Sequence, residues 1–260
     1  MLLLCITICT SCKKILDLDL DSAEPQLVIE GNLTNINGVQ TVKISTTIPF
    51  DAANDFPGVS GAIVTLLDSR GSAVNFKETS PGVYQAFNLA GIAGERYMLK
   101  VGLDQQEYSA SSTMPFPVQL DSLSASEQTF GSEARKIIAV NFQDPAQTKN
   151  YYLFKMVLNG KKVGQIFSDS DFFTDGRYVK RDLFLSGIED IKIKSGDAVT
   201  VEMQNIDENI YTYWRSLEQQ YASGNPNDVT TPSNPPSNWN NRALGYFSAH
   251  TVQVEDVVVR

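Results

Sequence analysis

The stretch LVIEGNL at residues 27–33 is the first of seven short runs, between Gln26 and Met114, that are rich in aliphatic and β-branched residues. The further runs are QTVKIST (40–46), AIVTLLD (62–68), VNFKE (74–78), VYQAF (83–87), RYMLKVGL (96–103) and EYSASSTM (107–114). Turn-forming residues such as Asn37-Gly38 and Ser80-Pro81-Gly82 separate them, since glycine permits a positive φ and proline presets a turn. This spacing predicts an immunoglobulin-like β-sandwich over residues 26–115.

A proline-rich break follows the seventh run. Met114-Pro115-Phe116-Pro117 is unsuited to a central strand, because proline has no N–H to donate to a β-ladder. We therefore predict a second domain over residues 116–260. Its β-runs are KIIAVNFQ (136–143), YYLFKMVLNG (151–160), YVKRDLFL (178–185), DAVTVEMQNI (197–206) and ALGYFSAHTVQVEDVVV (243–259). The second domain is thus also expected to be β-rich.

One segment of this second half has helical periodicity. In DENIYTYWRSLEQQYASG (207–224), apolar residues recur at helical spacing, namely Ile210, Trp214, Leu217 and Tyr221. Asp207 is the expected N-cap and Gly224 lies just past the predicted end. We predict one amphipathic helix that packs on a sheet, followed by a long Pro- and Asn-rich surface loop at 224–241.

The three cysteines of the chain all lie within its first twelve residues, at Cys5, Cys9 and Cys12. The apolar run Leu2–Ile8 has the length of a signal-peptide core, and the small pair Thr10-Ser11 directly precedes Cys12. This order resembles a bacterial lipobox, which predicts a signal peptide at 1–11, a lipid on Cys12 and an extended tether at 12–25. An ordinary cleaved secretory signal and a buried N-terminal strand are the alternatives.

The composition argues against several classes of function. With 30 acidic and 21 basic residues, the net charge of −9 disfavours nucleic acid as a partner. The absence of cysteine after Cys12 excludes disulfides and thiolate sites from the remaining chain. His250 is the single histidine, and no G-x-S-x-G motif is present, so we expect neither a Ser-His-Asp enzyme nor a zinc site, and no cofactor. A carboxylate pair for glycoside cleavage stays open, because the fold sets its separation.

The segment SDSDFFTDG (168–176) carries two candidate sites. Asp169, Asp171 and Asp175 offer oxygen ligands to Ca²⁺, although their spacing differs from that of an EF-hand, and solvated acids in a hairpin loop are the alternative. For ligand or partner binding, the aromatic candidates are Phe172, Phe173, Tyr178 and, in the Pro/Asn-rich loop, Trp239. The alternative for each of these aromatics is a place in the core.

Several quoted segments, taken together in order, resemble one family. They are LVIEGNLT (27–34), VSGAIVTLLD (59–68), PGVYQA (81–86), GERYMLKV (94–101), NYYLFKMVLNG (150–160), FTDGRY (173–178), NIDENIYTYWRSLEQQ (205–220) and NPPSNWNNRALGYFSAH (234–250). This layout resembles the Bacteroidetes lipoproteins called domain of unknown function 4249. The resemblance implies an outer-membrane lipoprotein, often encoded beside TonB-dependent transporters, whose N-terminal domain is similar to the regulatory domains of carboxypeptidases. It implies no catalytic residues.

The acids of KKILDLDLDSAEP (13–25) also resemble the signal that exports such lipoproteins to the cell surface, while a merely solvated linker is the alternative. We therefore expect a surface lipoprotein, anchored in the outer membrane by its lipid, that serves as a non-catalytic binding or accessory subunit in TonB-dependent nutrient uptake. The alternatives are a surface hydrolase that acts on glycans or peptides, and a structural adhesin.

Overall fold

The computed structural model describes residues 24–49, 55–185, 191–222 and 233–260. The predicted signal peptide, Cys12 and nearly all of the predicted tether lie outside these residues, as do Gly224 and part of the loop at 224–241. Where the chain is described, it is mainly β-structure with one α-helix, as predicted.

The first half forms a β-sandwich. Its strands are β1 (Leu27–Thr34), β2 (Gly38–Thr46), β3 (Ile63–Leu67), β4 (Ala73–Ser80), β5 (Val83–Leu89), β6 (Arg96–Leu103) and β7 (Gln106–Thr113). Strands β1, β2 and β5 form one layer and β3, β6 and β7 the other, while β4 pairs with β3 through its first part and with β5 through its second. The alternating apolar side chains of both layers fill the space between them, and the predicted sandwich is confirmed.

The second half contains two further packed layers. Its elements are β8 (Leu120–Phe130), β9 (Glu133–Gln143), β10 (Tyr151–Leu158), β11 (Lys161–Ser170), β12 (Tyr178–Leu183), β13 (Ala198–Ile206), α1 (Glu208–Ala222) and β14 (Leu244–Val258). Strands β12, β9 and β8 form a three-stranded sheet. An apolar cluster lies between this sheet and the layer ordered β11, β10, β13, β14.

Helix α1 packs on the other face of that layer, as its periodicity predicts. The Asp207 Oδ1 atom accepts a hydrogen bond of 3.0 Å from the Ile210 N–H, which confirms Asp207 as the N-cap. Ile210 is buried, whereas Trp214 is half-buried with its ring centroid 5.3 Å from that of Tyr246 on β14. The helix therefore contributes its apolar face to a third, smaller cluster.

Strand β14 joins the two halves. Its first part pairs with β1 in parallel, from Val28↔Leu244 to Thr34↔His250, and its second part pairs with β13 in antiparallel fashion. The layer of β11, β10, β13 and β14 thereby continues into β1, β2 and β5. Strand β4 then connects these to β3, β6 and β7, which gives one sheet of eleven strands. Phe247 and Ala249 of β14, with Trp239 and Ala243 before it, lie in the core of the first half. The boundary at 115/116 stays a prediction, but residues beyond it complete the first core.

The proline-rich break is held against β13 and β14 by side-chain amides. The Val118 N–H donates to Asn205 Oδ1 at 3.1 Å, and the Leu120 N–H donates to Gln253 Oε1 at 3.0 Å. Met114, Val118 and Leu120 are buried. This segment is therefore part of the packed structure that connects the halves.

We predict that Gly245→Ala destabilises the protein by about 3 kcal/mol or more, because Gly245 has φ +88° and a Cβ there would lie 2.9 Å from the Ile29 carbonyl carbon of β1. Gly61→Ala is the matched control, since Gly61 has φ +83° but a Cβ there would meet nothing within 4 Å. It should cost only about 1 kcal/mol. Chemical denaturation measures both, and equal losses would contradict the close approach of β1 and β14.

Candidate functional site

The connection between β11 and β12 presents exposed aromatic side chains. A 3₁₀ turn at Asp171–Phe173 follows β11 directly, and the N–H groups of Thr174 and Asp175 donate to the Asp171 carbonyl at 2.8 and 2.9 Å. Phe172 and Phe173 are each 79% exposed, and their rings meet edge to face with centroids 4.6 Å apart. Tyr178, at the start of β12, is 60% exposed. We call residues 171–178 the aromatic turn.

Two large aromatic side chains exposed side by side leave apolar area in water that a partner could cover. Burial of such a ring contributes favourable free energy in proportion to the apolar area that leaves water, so an exposed pair forgoes that stabilisation. Three of the four aromatic candidates named from the sequence, Phe172, Phe173 and Tyr178, thus lie together on one turn. The turn offers flat apolar faces to a ligand or a partner protein.

Three carboxylates lie at the base of the aromatic turn. Each of Asp144, Asp171 and Asp175 offers an oxygen, and these oxygens lie within 4.8 Å of one another. Asp144 and Asp171 are buried, whereas Asp175 is exposed. We call these three residues the carboxylate cluster. Asp144 comes from the connection between β9 and β10, so the cluster brings two separate loops together.

Hydrogen bonds from backbone N–H groups hold the carboxylate cluster in place. Asp144 Oδ2 accepts from Gly176 at 3.2 Å, Asp171 Oδ2 from Asn150 at 2.8 Å, and Asp175 Oδ1 from Gln147 at 2.8 Å. Two of the three donors lie in the loop at 144–150 and one lies in the aromatic turn, so the bonds join the two segments in both directions. These bonds satisfy loop N–H groups that would otherwise lack partners, and they fix the base of the turn.

Glycine is required at position 176. Gly176 has φ +70°, and a Cβ at this position would lie 2.9 Å from the Cβ of Ala146 in the facing loop. Because glycine lacks this atom, the two loops can approach closely enough for the Gly176 N–H to reach Asp144. The close approach of the two loops therefore explains the glycine of the TDG motif at 174–176.

The environment of Asp144 disfavours its ionised form. Burial raises the pKa of the Asp144 carboxyl, the negative charges of Asp171 and Asp175 raise this pKa further, and hydrogen bonds from Tyr152 and Gly176 oppose the shift. The Tyr152 hydroxyl donates to Asp144 Oδ1, and burial together with this carboxylate raises the pKa of Tyr152. The buried Asp144 carboxyl therefore takes up a negative charge less readily than an exposed aspartate does.

The calcium candidates named from the sequence need one correction. Asp171 and Asp175 lie in the carboxylate cluster, but Asp169 does not, because its Oδ2 atom forms an ion pair of 3.0 Å with the Arg181 Nε of β12. Burial raises the pKa of Asp169, and the Arg181 charge opposes that shift. Asp144 takes the third place. Sequence reasoning missed Asp144 because the cluster depends on the meeting of two loops that are distant along the chain.

The expectation that Trp239 is an exposed binding residue is wrong. Its side chain is only 6% exposed and lies in the first core, where its Nε1–H donates to the Ile29 carbonyl at 3.0 Å. The segment around it covers the edge of β7. Trp239 forms a β-bridge with Ala110, and the Asn240 side chain accepts from the Ser109 N–H at 2.8 Å. The asparagine side chains of this segment therefore form hydrogen bonds with backbone groups of the edge strand β7, while the indole ring packs in the core.

The single histidine is inaccessible. His250 lies on β14, fully within the protein, with its Nδ1 atom 2.9 Å from the Ser248 hydroxyl. Burial, with a smaller contribution from the positive charge of Lys155, lowers the pKa of His250 to about 3. The Ser248–His250 pair is therefore a neutral hydrogen bond, buried out of reach of a substrate.

Comparison with known proteins identifies a family. A family model described as domain of unknown function (DUF4249) matches residues 13–256. The chain belongs to this family. The resemblance to domain of unknown function 4249 that was drawn from the sequence is thereby confirmed, while its lipoprotein part stays a prediction. A comparison with curated proteins finds no match.

Among solved structures, the chain is similar to a pullulanase from Anoxybacillus sp. LM18-11, complexed with maltotriose. The identity is 11% and the TM-score is 0.21, over 67% of this chain and 24% of the pullulanase chain. A likeness this weak carries no argument about fold or function. Among the residues that the structure describes, no helix combines the length and the apolar character that a membrane crossing requires.

We predict that Trp239→Ala destabilises the protein by about 3 to 5 kcal/mol, because it leaves a cavity in the first core and removes the indole hydrogen bond to the Ile29 carbonyl. Phe173→Ala, which truncates an exposed aromatic, should leave the unfolding midpoint nearly unchanged. Thermal or chemical denaturation of both variants makes this comparison. A wild-type midpoint for Trp239→Ala would contradict the core position of the indole.

We also predict a pH dependence of stability that His250 causes. The folded-state pKa of about 3 lies below the usual value near 6.5, so the stabilisation is complete above about pH 6.5 and is lost as the pH falls towards 3. Between these limits one such histidine contributes a slope of about 1.4 kcal/mol per pH unit. Denaturant unfolding at several pH values measures the slope. His250→Asn should reduce the slope, whereas Ser248→Ala, which keeps the histidine, should retain it.

Proposed function

We propose that this protein is a non-catalytic binding or accessory subunit for nutrient uptake at the bacterial outer membrane, held there by a lipid on Cys12. In this proposal it works beside a TonB-dependent transporter, and the aromatic turn contacts the transporter or its ligand. The observation that carries the proposal is the exposed pair Phe172 and Phe173 on a turn whose base is fixed.

The construction of the turn supports a binding role. Asp144 and Asp175 each accept a backbone hydrogen bond across the two loops, and the Asp144 N–H donates to the Arg177 carbonyl at 2.9 Å. A turn held in this way loses little conformational freedom on binding, so more of the contact energy appears as affinity. Exposed phenylalanine rings on such a rigid base have the properties of binding hot spots.

The chemistry of the described residues supports a non-catalytic role. The chain has one histidine, and it is buried with a lowered pKa. Asp144 and Asp171 are also buried, and their carboxylates accept hydrogen bonds from loop N–H groups. These groups serve the architecture of the site.

The N-terminal sequence supports the proposed location. An apolar run, two small residues and Cys12 precede a tether with alternating acids. A single lipid chain gives only weak anchoring, whereas the two or more chains of a bacterial lipoprotein hold a protein stably at a membrane. The tether at 12–25 then separates the globular part from the bilayer.

We predict that Phe173→Ala weakens association with the partner by about 2 kcal/mol or more without lowering the melting temperature, because the exposed ring contributes to binding and little to packing. The measurement is a quantitative pull-down of the lipidated protein from solubilised outer membranes, with thermal melts in parallel. Phe116→Ala is the matched control, since Phe116 is 71% exposed but precedes β8, away from the aromatic turn in the chain.

Two results would contradict this proposal. If Phe173→Ala melted well below the wild type, the ring would be a packing residue. If it melted normally yet retained the same co-purifying transporter as the wild type, the contact surface would lie elsewhere. Equal losses of partner association for Phe173→Ala and Phe116→Ala would indicate nonspecific adsorption of exposed aromatic rings and not a specific binding site.

A further inference from the structure

We propose that the carboxylate cluster, together with the side-chain oxygen of Asn150, is a Ca²⁺ site. This inference does not depend on the transport role proposed above. It depends on two separate observations, the grouping of Asp144, Asp171 and Asp175 and the lack of a hydrogen-bond donor for a buried amide oxygen beside them.

The Asn150 oxygen is the second observation. Asn150 is 6% exposed, and its Oδ1 atom is buried without a hydrogen-bond donor among the described residues. A buried acceptor left unpaired loses its hydrogen bonds to water without replacement, so native proteins rarely keep one without a reason. An amide carbonyl oxygen is also one of the ligands that Ca²⁺ takes in proteins. A bound cation would satisfy it.

Two features of β10 place this oxygen on the side of the cluster. Asn150 immediately precedes β10 and faces Asp171, since the Asp171 N–H donates to the Asn150 carbonyl at 3.1 Å just beyond the Tyr151↔Ser170 pair. Directly opposed residues of an antiparallel pair project their side chains to the same face. Along the strand, Asn150 also shares a face with Tyr152, whose hydroxyl contacts Asp144.

The electrostatics of the cluster favour a cation. Two of the three carboxylates are buried, and all three lie close enough for their negative charges to repel one another. Mutual repulsion of this kind is relieved when a divalent ion binds between the carboxylates. The hydrogen bonds to the cluster leave carboxylate lone pairs available, because each oxygen has two acceptor sites.

The donor set favours Ca²⁺ among the divalent ions. All four proposed ligands are oxygens, which suit hard cations, whereas zinc sites are built mainly from sulfur and nitrogen ligands. Ca²⁺ binds carboxylate and amide oxygens in flexible geometry, whereas Mg²⁺ demands a near-ideal octahedron and usually keeps several waters. The oxygens of the three carboxylates lie within 4.8 Å of one another, so they can bind one shared ion. Since Ca²⁺ takes about six to eight oxygens, solvent water would complete its coordination at the exposed Asp175 side.

The test is calorimetric titration of the purified full chain with CaCl₂ after removal of divalent ions by a chelator. We expect one saturable site per chain, with a dissociation constant of about 10⁻⁴ to 10⁻³ M or lower, as in extracellular calcium modules. We also expect Ca²⁺ to raise the melting temperature relative to the chelated protein. MgCl₂, titrated in the same way, should bind at least about tenfold more weakly.

Matched variants locate the site. Asp175→Asn removes the exposed member of the cluster, so it should fold normally and weaken Ca²⁺ binding by about tenfold or more. Asn150→Ala should also weaken binding. Asp104→Asn, the same change at an exposed turn residue of the first half, should leave the affinity unchanged.

Several outcomes would overturn the inference. They are the absence of saturable heat and of a thermal shift for the wild type at millimolar Ca²⁺, wild-type affinity in a folded Asp175→Asn variant, and equal weakening by Asp104→Asn. Equal affinity for Mg²⁺ and Ca²⁺ would overturn the assignment to calcium. None of these measurements involves a transporter, so their result is distinct from that of the pull-down.

Discussion

The two pairings of β14 hold the remainder of the fold in place. One strand forms a parallel ladder with β1 over its first part and an antiparallel ladder with β13 over its second. The first ladder requires glycine at position 245, where the backbone has φ +88° and passes close to Ile29. Because β14 carries core residues for both halves, the halves are held in one defined orientation.

Polar side chains at the junction satisfy the backbone where the halves meet. Asn205 Oδ1 accepts from the Val118 N–H at 3.1 Å and from the Thr251 hydroxyl at 3.2 Å. The Gln253 side chain both accepts from the Leu120 N–H and donates to the Val118 carbonyl. An irregular segment can therefore be buried here without leaving its backbone groups unpaired.

The candidate site lies where two connections pass between the two layers of the second half. The chain leaves the three-stranded sheet after β9 to enter β10, and it returns from β11 to β12. The pairings Tyr178↔Gln143 and Tyr151↔Ser170 bring these two connections to the same edge. N–H groups of these loops, which have no strand partner, donate hydrogen bonds to the carboxylates of the cluster. The exposed side of the same turn carries Phe172 and Phe173. The residues that hold the two loops together are thus also the residues of the candidate site.

Features that depend on near neighbours could be predicted from the amino-acid sequence. The seven β-runs of the first half and the helix with its Asp207 cap follow from spacing and turn chemistry within a few residues. Features that depend on distant pairing became visible only in the folded chain. In the folded chain Trp239 is buried in the first core, and Asp144 instead of Asp169 belongs to the carboxylate cluster. Strand β14 pairs with strands of both halves. The local sequence does not indicate which strand pairs with which. Backbone hydrogen bonds between strands tolerate almost any side chain, so the pairing of strands is decided by the packing of the whole chain.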